Sequence, residues 1–507
     1  MISRKKATVK NAITAFFSQI IKLLGQFLVQ SIFIRTLGAK YLGANGLFNN
    51  ILTFLAFAEL GIGVSFSFSL YKPLAEDDEE TISAIMTLFR KIYNVIGIVI
   101  LILGLIVTIF VPNLVKANSS IEHIRYYFVL YLLSTVVSYF FTYNRSLLIA
   151  DQLGYIDSQN QLVFSIIKYI FQIFFLLTFD SYTGYLVVLI LTNLLSNIAI
   201  TIKAKHRYKY LNLHSKKKPS HEVVKELKQN VIGTIASKVG GIVVNGTDNI
   251  LISKFVGLGS VGIYSDYSLV MTGITSVLSQ VLNSVVASFG NLGAVEKENK
   301  EKQINLFDNF TYFNAFFVFF CALVMYAIFQ PFIKLWVGAK YHLSMFTVLI
   351  IIINFAFAQF RPALFLINSY GLFWGYRYKS IVEAVVNFGL SLFLVMNTSL
   401  GISGVLIGTI IGNILVNSWW DPLILFHGAF EASITKFYIK YWGYMLIFGI
   451  LLFIENSILQ MITMPQGVVN FIIYTFCVVV IVGIVLLLCF AGTKTEKMII
   501  NKLFKKV

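Results

Sequence analysis

Charged side chains are scarce in this chain. Only 12% of its 507 residues are Asp, Glu, Lys or Arg, against 57% hydrophobic, too few to solvate a globular surface of that size. Cysteine is nearly absent. Cys321, Cys477 and Cys489 sit in apolar runs, with neither a metal-ligand spacing nor a disulfide framework. The six histidines are scattered, no two at i, i+4, which argues against zinc or haem, and no cofactor is expected. There is no Walker A motif, nucleophile elbow or paired carboxylate, so ATP-driven and enzymatic readings find no apparatus. The start, Met1-Ile2-Ser3-Arg4-Lys5-Lys6, lacks a small-residue cleavage site after its apolar run and reads as the approach to a retained first span.

Apolar runs are what the chain has in quantity. A bilayer core about 30 Å thick asks for roughly 20 apolar residues per helix. Fourteen runs qualify, near 11–34, 42–70, 90–112, 121–149, 161–179, 182–202, 230–256, 262–292, 308–330, 343–368, 380–398, 401–425, 436–455 and 468–491. Only helices or closed barrels satisfy their backbone in lipid, so the expected fold is an all-α polytopic membrane protein. With the N-terminus in the cytoplasm, most of the 40 basic residues fall in inner segments, and both termini come out cytoplasmic. The densest basic cluster, between 203 and 229, reads as a topological anchor that also attracts anionic headgroups, and not as a nucleic-acid site. The acidic run Glu76-Asp77-Asp78-Glu79-Glu80 reads as a solvated helix start.

The chain also repeats itself. A shift of 219 residues places Gly38 on Gly257, Gly43 on Gly262, Tyr93 on Tyr312, Phe110 on Phe329 and Pro112 on Pro331. Six spans in each half make the repeats parallel, related by an axis along the membrane normal. The expected organisation is a six-helix lobe over 1–202, a basic linker over 203–229, a second six-helix lobe over 230–430, and two added helices with a basic tail over 431–507. Gly257-Leu258-Gly259-Ser260-Val261-Gly262 matches a dinucleotide-binding pattern, but it joins two spans and follows no strand. Its counterpart at Gly38–Gly43 marks it as a repeated tight turn.

Five basic residues fall within spans: Lys22, Arg145, Lys168, Lys238 and Arg361. A cation at mid-bilayer costs about 3 kcal/mol on insertion scales, so such residues face a polar interior. Ser134, Ser138, Thr142 and Arg145 share one helical face. Arg145 and Arg361 occupy near-equivalent positions in spans 4 and 10, and Lys22 and Lys238 in spans 1 and 7. Two such pairs would converge on a central cavity. The competing reading is internal balance by Glu59, Asp248, Asp266 and Glu383, which leaves a surplus of positive charge. An anionic ligand would compensate it, and arginine suits phosphate oxygens. Asp248 and Glu59 could instead bind a coupling ion or form salt bridges to the lysines.

Three stretches carry a family resemblance: Arg35-Thr36-Leu37-Gly38-Ala39-Lys40-Tyr41-Leu42-Gly43, Ala58-Glu59-Leu60-Gly61-Ile62-Gly63 and Leu70-Tyr71-Lys72-Pro73-Leu74-Ala75. This resembles the opening of Wzx-like polysaccharide transporters of the MOP exporter superfamily. The resemblance implies a flippase for an undecaprenyl-pyrophosphate-linked oligosaccharide in the cell membrane of a bacterium, working by alternating access around a cationic cavity. Arg145, Arg361, Lys22 and Lys238 would contact the pyrophosphate there. Membrane lipids and the polysaccharide polymerase machinery are the further partners it implies, and the last two helices would shelter the polyprenyl tail. A lipid II flippase and a multidrug antiporter are the nearest rivals. A membrane glycan polymerase fits poorly, because every outer loop is short.

Overall fold

A computed structural model of the chain describes residues 4–59, 62–119, 121–213, 219, 224, 246–295, 300–370, 372 and 375–490. The fold is all-helical, with no strand among the described residues. Among the described residues, ten helices are long and apolar enough to cross a bilayer, eleven if one bent pair counts as a span. The expected second span is a broken helix, Ala39–Leu55 and Ile62–Ala75, interrupted by a 3-10 turn at Ala56–Glu59. Most of the expected seventh span lies outside the described residues. The chain divides into two compact units, Met1–Ser265 and Asp266–Val507.

The first unit contains α1 (Arg4–Thr36), α2 (Ala39–Leu55), α3 (Ile62–Ala75), α4 (Glu79–Phe110), α5 (Ile124–Tyr139), α6 (Thr142–Ala150), α7 (Gly154–Phe179) and α8 (Tyr182–Arg207). Lipid-facing helices satisfy their own backbone and keep apolar residues outward: Val163, Ile170, Phe174 and Leu177 of α7 are exposed. α7 packs against α1 and α8, and α5 against α4 and α8. The acidic run is a helix start as expected. Asp78 caps α4 by accepting from the Thr81 amide at 2.9 Å, with Glu79 and Glu80 in the first turn, where negative charge meets the positive end of the helix dipole. Close by, where Asn212 donates its amide to Ser83 Oγ of α4 at 3.3 Å, Tyr208 donates to Asp151 Oδ2 at 2.7 Å, and Lys203, Lys205, Arg207 and Lys209 are exposed beside it.

The repeated turn is real in three dimensions. Gly38 (φ 82°) precedes α2 and Gly257 (φ 133°) precedes α9 (Leu258–Val295), a region of φ that favours glycine. The two helix starts then approach each other closely. A Cβ on Gly43 would lie 1.8 Å from the Leu258 carbonyl oxygen, and one on Gly262 would lie 2.0 Å from that of Ala39. Asn50 strengthens the junction by donating to the Gly246 carbonyl at 3.1 Å.

The second unit continues with α10 (Lys300–Trp336), α11 (Met345–Gln359), α12 (Pro362–Tyr370), α13 (Tyr376–Asn397), α14 (Ile402–Gly412), α15 (Ser418–Leu425), α16 (Thr435–Leu459) and α17 (Val468–Cys489). π-helical turns at Asn413–Asn417 and Phe426–Phe430 flank α15. The expected fourth and tenth spans are both broken, and nearly at repeat-equivalent points. α5 and α6 meet at a 44° bend around Phe140 and Phe141. α11 stops at Gln359, before Arg361 and Pro362, because proline removes a backbone donor and pushes its predecessor out of helical geometry.

Candidate functional site

The bend between α5 and α6 sets Arg145 in the first turn of α6, facing α7 and α8 across the interior of the first unit. Its guanidinium is nearly saturated. Nη1 pairs with Asp157 Oδ1, Nε donates to Asn197 Oδ1 at 3.1 Å, and Nη2 donates to Ser196 Oγ at 2.8 Å and Asn160 Oδ1 at 3.2 Å. Asp157, Asn160, Ser196 and Asn197 are all buried. A buried ion pair holds its geometry when further hydrogen bonds satisfy both partners, as here. Asp157 passes the network on: its Oδ2 accepts from Gln161 Nε2 at 2.7 Å, and Gln161 Oε1 accepts from Lys22 Nζ at 2.8 Å. Lys22 on α1 is thereby tied to Arg145 on α6 through two side chains.

This network borders an open cavity of about 270 Å³ lined by residues of α5, α6, α7 and α8. Ser138, Thr142 and Arg145 reach it from the expected polar face of span 4, and Lys168 reaches it from α7. Lys168 lies 4.9 Å from the centre of the Tyr169 ring and makes no ion pair among the described residues. The network and cavity thus hold three basic side chains, Lys22, Arg145 and Lys168, and one carboxylate, Asp157.

Arg361 sits in a different kind of site. In the second unit its Nε and Nη2 donate to Asp421 Oδ2 at 2.8 and 2.6 Å, and Nη1 lies 4.0 Å from Glu383 Oε1. Lys379 bridges the same two acids, 2.7 Å from Glu383 Oε2 and 3.2 Å from Asp421 Oδ1. Asn417, in the π-helical turn, donates to Glu383 Oε1 at 2.7 Å. Among the described residues the cluster counts two cations and two acids, and Lys379 and Asp421 are almost fully buried.

The remaining sequence candidates fall as follows. Glu59, at the break after α2, accepts from the Tyr93 hydroxyl at 2.8 Å; Lys22 has Gln161 as its neighbour instead. Asp248 is buried in the first unit. Lys238 lies outside the described residues. Asp157, Lys379 and Asp421 were not singled out from sequence. The spacing signals existed: Asp157 and Gln161 are i, i+4, as are Lys379 and Glu383, and Asn413, Asn417 and Asp421 step by four.

Comparison with known proteins places the chain. The family model described as polysaccharide biosynthesis protein matches residues 8–289, more than half of the chain. A comparison with curated proteins returns no match. Among solved structures, the lipid II flippase MurJ in an inward closed conformation is similar at a TM-score of 0.68 and 16% identity, over 97% of this chain and 100% of that one. An inward-facing multidrug resistance MATE transporter of the MOP superfamily is similar at 0.63 and 16%, over 82% and 98%. A point mutant of the Vibrio cholerae MATE transporter VcmN is similar at 0.57 and 16%, over 86% and 99%. At these identities the likeness is one of fold. With the fold of the MurJ and MATE structures it resembles, the chain belongs to the polysaccharide biosynthesis protein family, as its opening motifs indicated.

Proposed function

We propose that this protein is a flippase that carries an undecaprenyl-pyrophosphate-linked oligosaccharide repeat unit across a bacterial cytoplasmic membrane, for capsule, O-antigen or exopolysaccharide synthesis. The observation that carries the reading is the polar cavity of the first unit, whose network sets three cations against one acid. A cationic surplus at membrane depth calls for water or an anionic ligand. An antiporter for organic cations would need the opposite sign. Lys22 and Lys168 supply the uncommitted charge; Arg145, with four of its donors engaged, orients the polar wall and offers its remaining donor. Lys238 and Arg361 are the corresponding candidates of the second repeat. The headgroup enters from the cytoplasm, where both termini lie, and leaves outward as the lobes 1–202 and 230–430 rock about it. An apolar groove of about 450 Å³ along α16, between Trp442 and Asn456, suits the polyprenyl tail, which stays in lipid.

The test is transbilayer movement of a fluorescent short-chain polyprenyl-pyrophosphate oligosaccharide built from neutral sugars, in proteoliposomes. Wild type moves it, and Lys22→Gln moves it at least about tenfold more slowly, the loss of one hydrogen bond to a charged group. A wild type that ignores this lipid but exports an organic cation, or moves lipid II alone, would replace the reading with one of its rivals.

A further inference from the structure

Within the flippase reading, and with both termini cytoplasmic, we infer that the external end of the first unit carries a platform of tyrosine rings that takes a neutral pyranose of the glycan, its apolar face on the rings and its hydroxyl edge at Glu122. Three helix starts meet there. Tyr41 is the third residue of α2, Tyr127 the fourth of α5 and Tyr182 the first of α8. Their ring centres lie 5.2 Å apart for Tyr41 and Tyr182, 4.7 Å for Tyr127 and Tyr182, and 6.0 Å for Tyr41 and Tyr127. Tyr182 is the floor. It is 3% exposed, packs edge-on against Phe33 at 5.8 Å and donates its hydroxyl to Asn45 Oδ1 at 2.6 Å. Tyr41 and Tyr127 are half-buried, and Tyr126, 49% exposed, adjoins Tyr127 at 5.5 Å.

Tyrosines at a membrane boundary ordinarily form a belt that anchors the protein in the headgroup layer. These three face one another instead, and the fold does not require them: 219 residues on, the second repeat has Ser260, Phe346 and Gly401. The chemistry of the cluster suits a sugar. A tyrosine ring presents an electron-rich face, which meets the C–H groups that a β-gluco ring gathers on one side. The hydroxyls leave from the edge of that ring and need partners that donate and accept. Tyr41 has the Tyr127 hydroxyl and the Glu122 carboxylate as its electrostatic neighbours, and Glu122 is exposed. A phenol both donates and accepts, whereas a carboxylate only accepts, so this rim favours a neutral polyol over a phosphate or a uronate. Contact on one face and one edge holds the ring weakly, as a surface on the release side must.

The experiment is saturation-transfer NMR on the full chain in phosphatidylcholine nanodiscs, with methyl β-glucopyranoside as the probe and empty nanodiscs as the blank. The glucoside binds, and transfer is stronger to the ring hydrogens on carbons 1, 3 and 5, which share one face, than to those on carbons 2 and 4. Tyr127→Leu weakens binding at least about tenfold, and Tyr127→Phe, which keeps the ring, by clearly less. Glu122→Gln, at an exposed position, weakens it severalfold and keeps the test alive if Tyr127→Leu fails to fold. No transfer above the blank, equal transfer to both faces, or unchanged binding in Tyr127→Leu or Glu122→Gln would each overturn the platform and leave the tyrosines an interfacial belt. The flippase reading is judged separately, by the lipid carrying neutral sugars. Movement of that lipid without glucoside binding sinks the platform alone, and glucoside binding without movement sinks the flippase alone.

Discussion

Removing one acid from the buried cluster of the second unit tests whether its charges are in balance. Asp421 takes three contacts at 3.2 Å or less, two from Arg361 and one from Lys379. The side chains of Lys379 and Asp421 are 1% and 3% exposed, so water does not replace a lost partner. Asp421→Asn leaves Arg361 and Lys379 facing Glu383. Breaking a buried pair from one side costs about 3–5 kcal/mol. Adding Lys379→Met to that variant restores neutrality, with Arg361 opposite Glu383 and the new carboxamide oxygen still able to accept from the guanidinium. Since replacing a buried pair by apolar atoms is often neutral, the double variant should recover more than about half of the loss. The assay is the melting temperature of purified protein in detergent, read by fluorescence-detected size exclusion, for wild type, both single variants and the double. The reasoning fails if Asp421→Asn melts with wild type, or if the two substitutions simply add, since additivity means the residues do not interact.

Three further outcomes follow from the geometry. Gly43→Ala and Gly262→Ala each drive a Cβ into backbone, at 1.8 and 2.0 Å, and should sharply lower the yield of monodisperse protein, whereas Gly259→Ala, with nothing within 4 Å, should express as wild type. Tyr208→Phe removes the bond to Asp151 and should cost about 1 kcal/mol, seen as faster amide exchange over 208–213; burial, reinforced by Asp151, raises the Tyr208 hydroxyl above its ordinary pKa, so this bond should persist through mildly alkaline pH. Burial lowers the pKa of His342, with Lys334 acting in the same direction, so the unfolded chain takes up that proton first and stability falls as pH drops below about 6.5. His342→Gln should therefore narrow the gap in melting temperature between pH 7.5 and 5.5, and an unchanged gap would count against the assignment.

Much of this architecture was legible in the sequence because lipid leaves a chain few choices. Apolar runs had to become helices, and the 219-residue shift placed Gly38 and Gly257 at turns that the structure builds alike. Arg145 was legible too, because a lone charge in an apolar run has to find polar company. Its acid was not: Asp157 stands before the apolar run expected from 161 and looked like a loop residue, whereas α7 begins at Gly154. Lys379 was hidden in the same way, one residue outside the run expected from 380. Asp421 lay within an expected span and was passed over, though its four-residue steps from Asn413 and Asn417 mark a helix face. Breaks were the least visible. Phe140 and Phe141 are as apolar as their neighbours, and hydropathy does not register a 44° turn.

The close approach of the two helix starts has the form of an isologous interface. Between identical subunits related by a twofold axis, residue i of one copy meets j of the other while j meets i. Gly43 meets Leu258 as Gly262 meets Ala39, and each residue is its counterpart's image under the shift of 219. Within the first unit, the two turns thus meet as equivalent residues of a homodimer would. A true homodimer would be bound to put the same side chains on both sides of its axis. A single chain escapes that obligation, so the first unit can keep a polar cavity of about 270 Å³ beside Arg145 while the second buries Arg361 against Asp421.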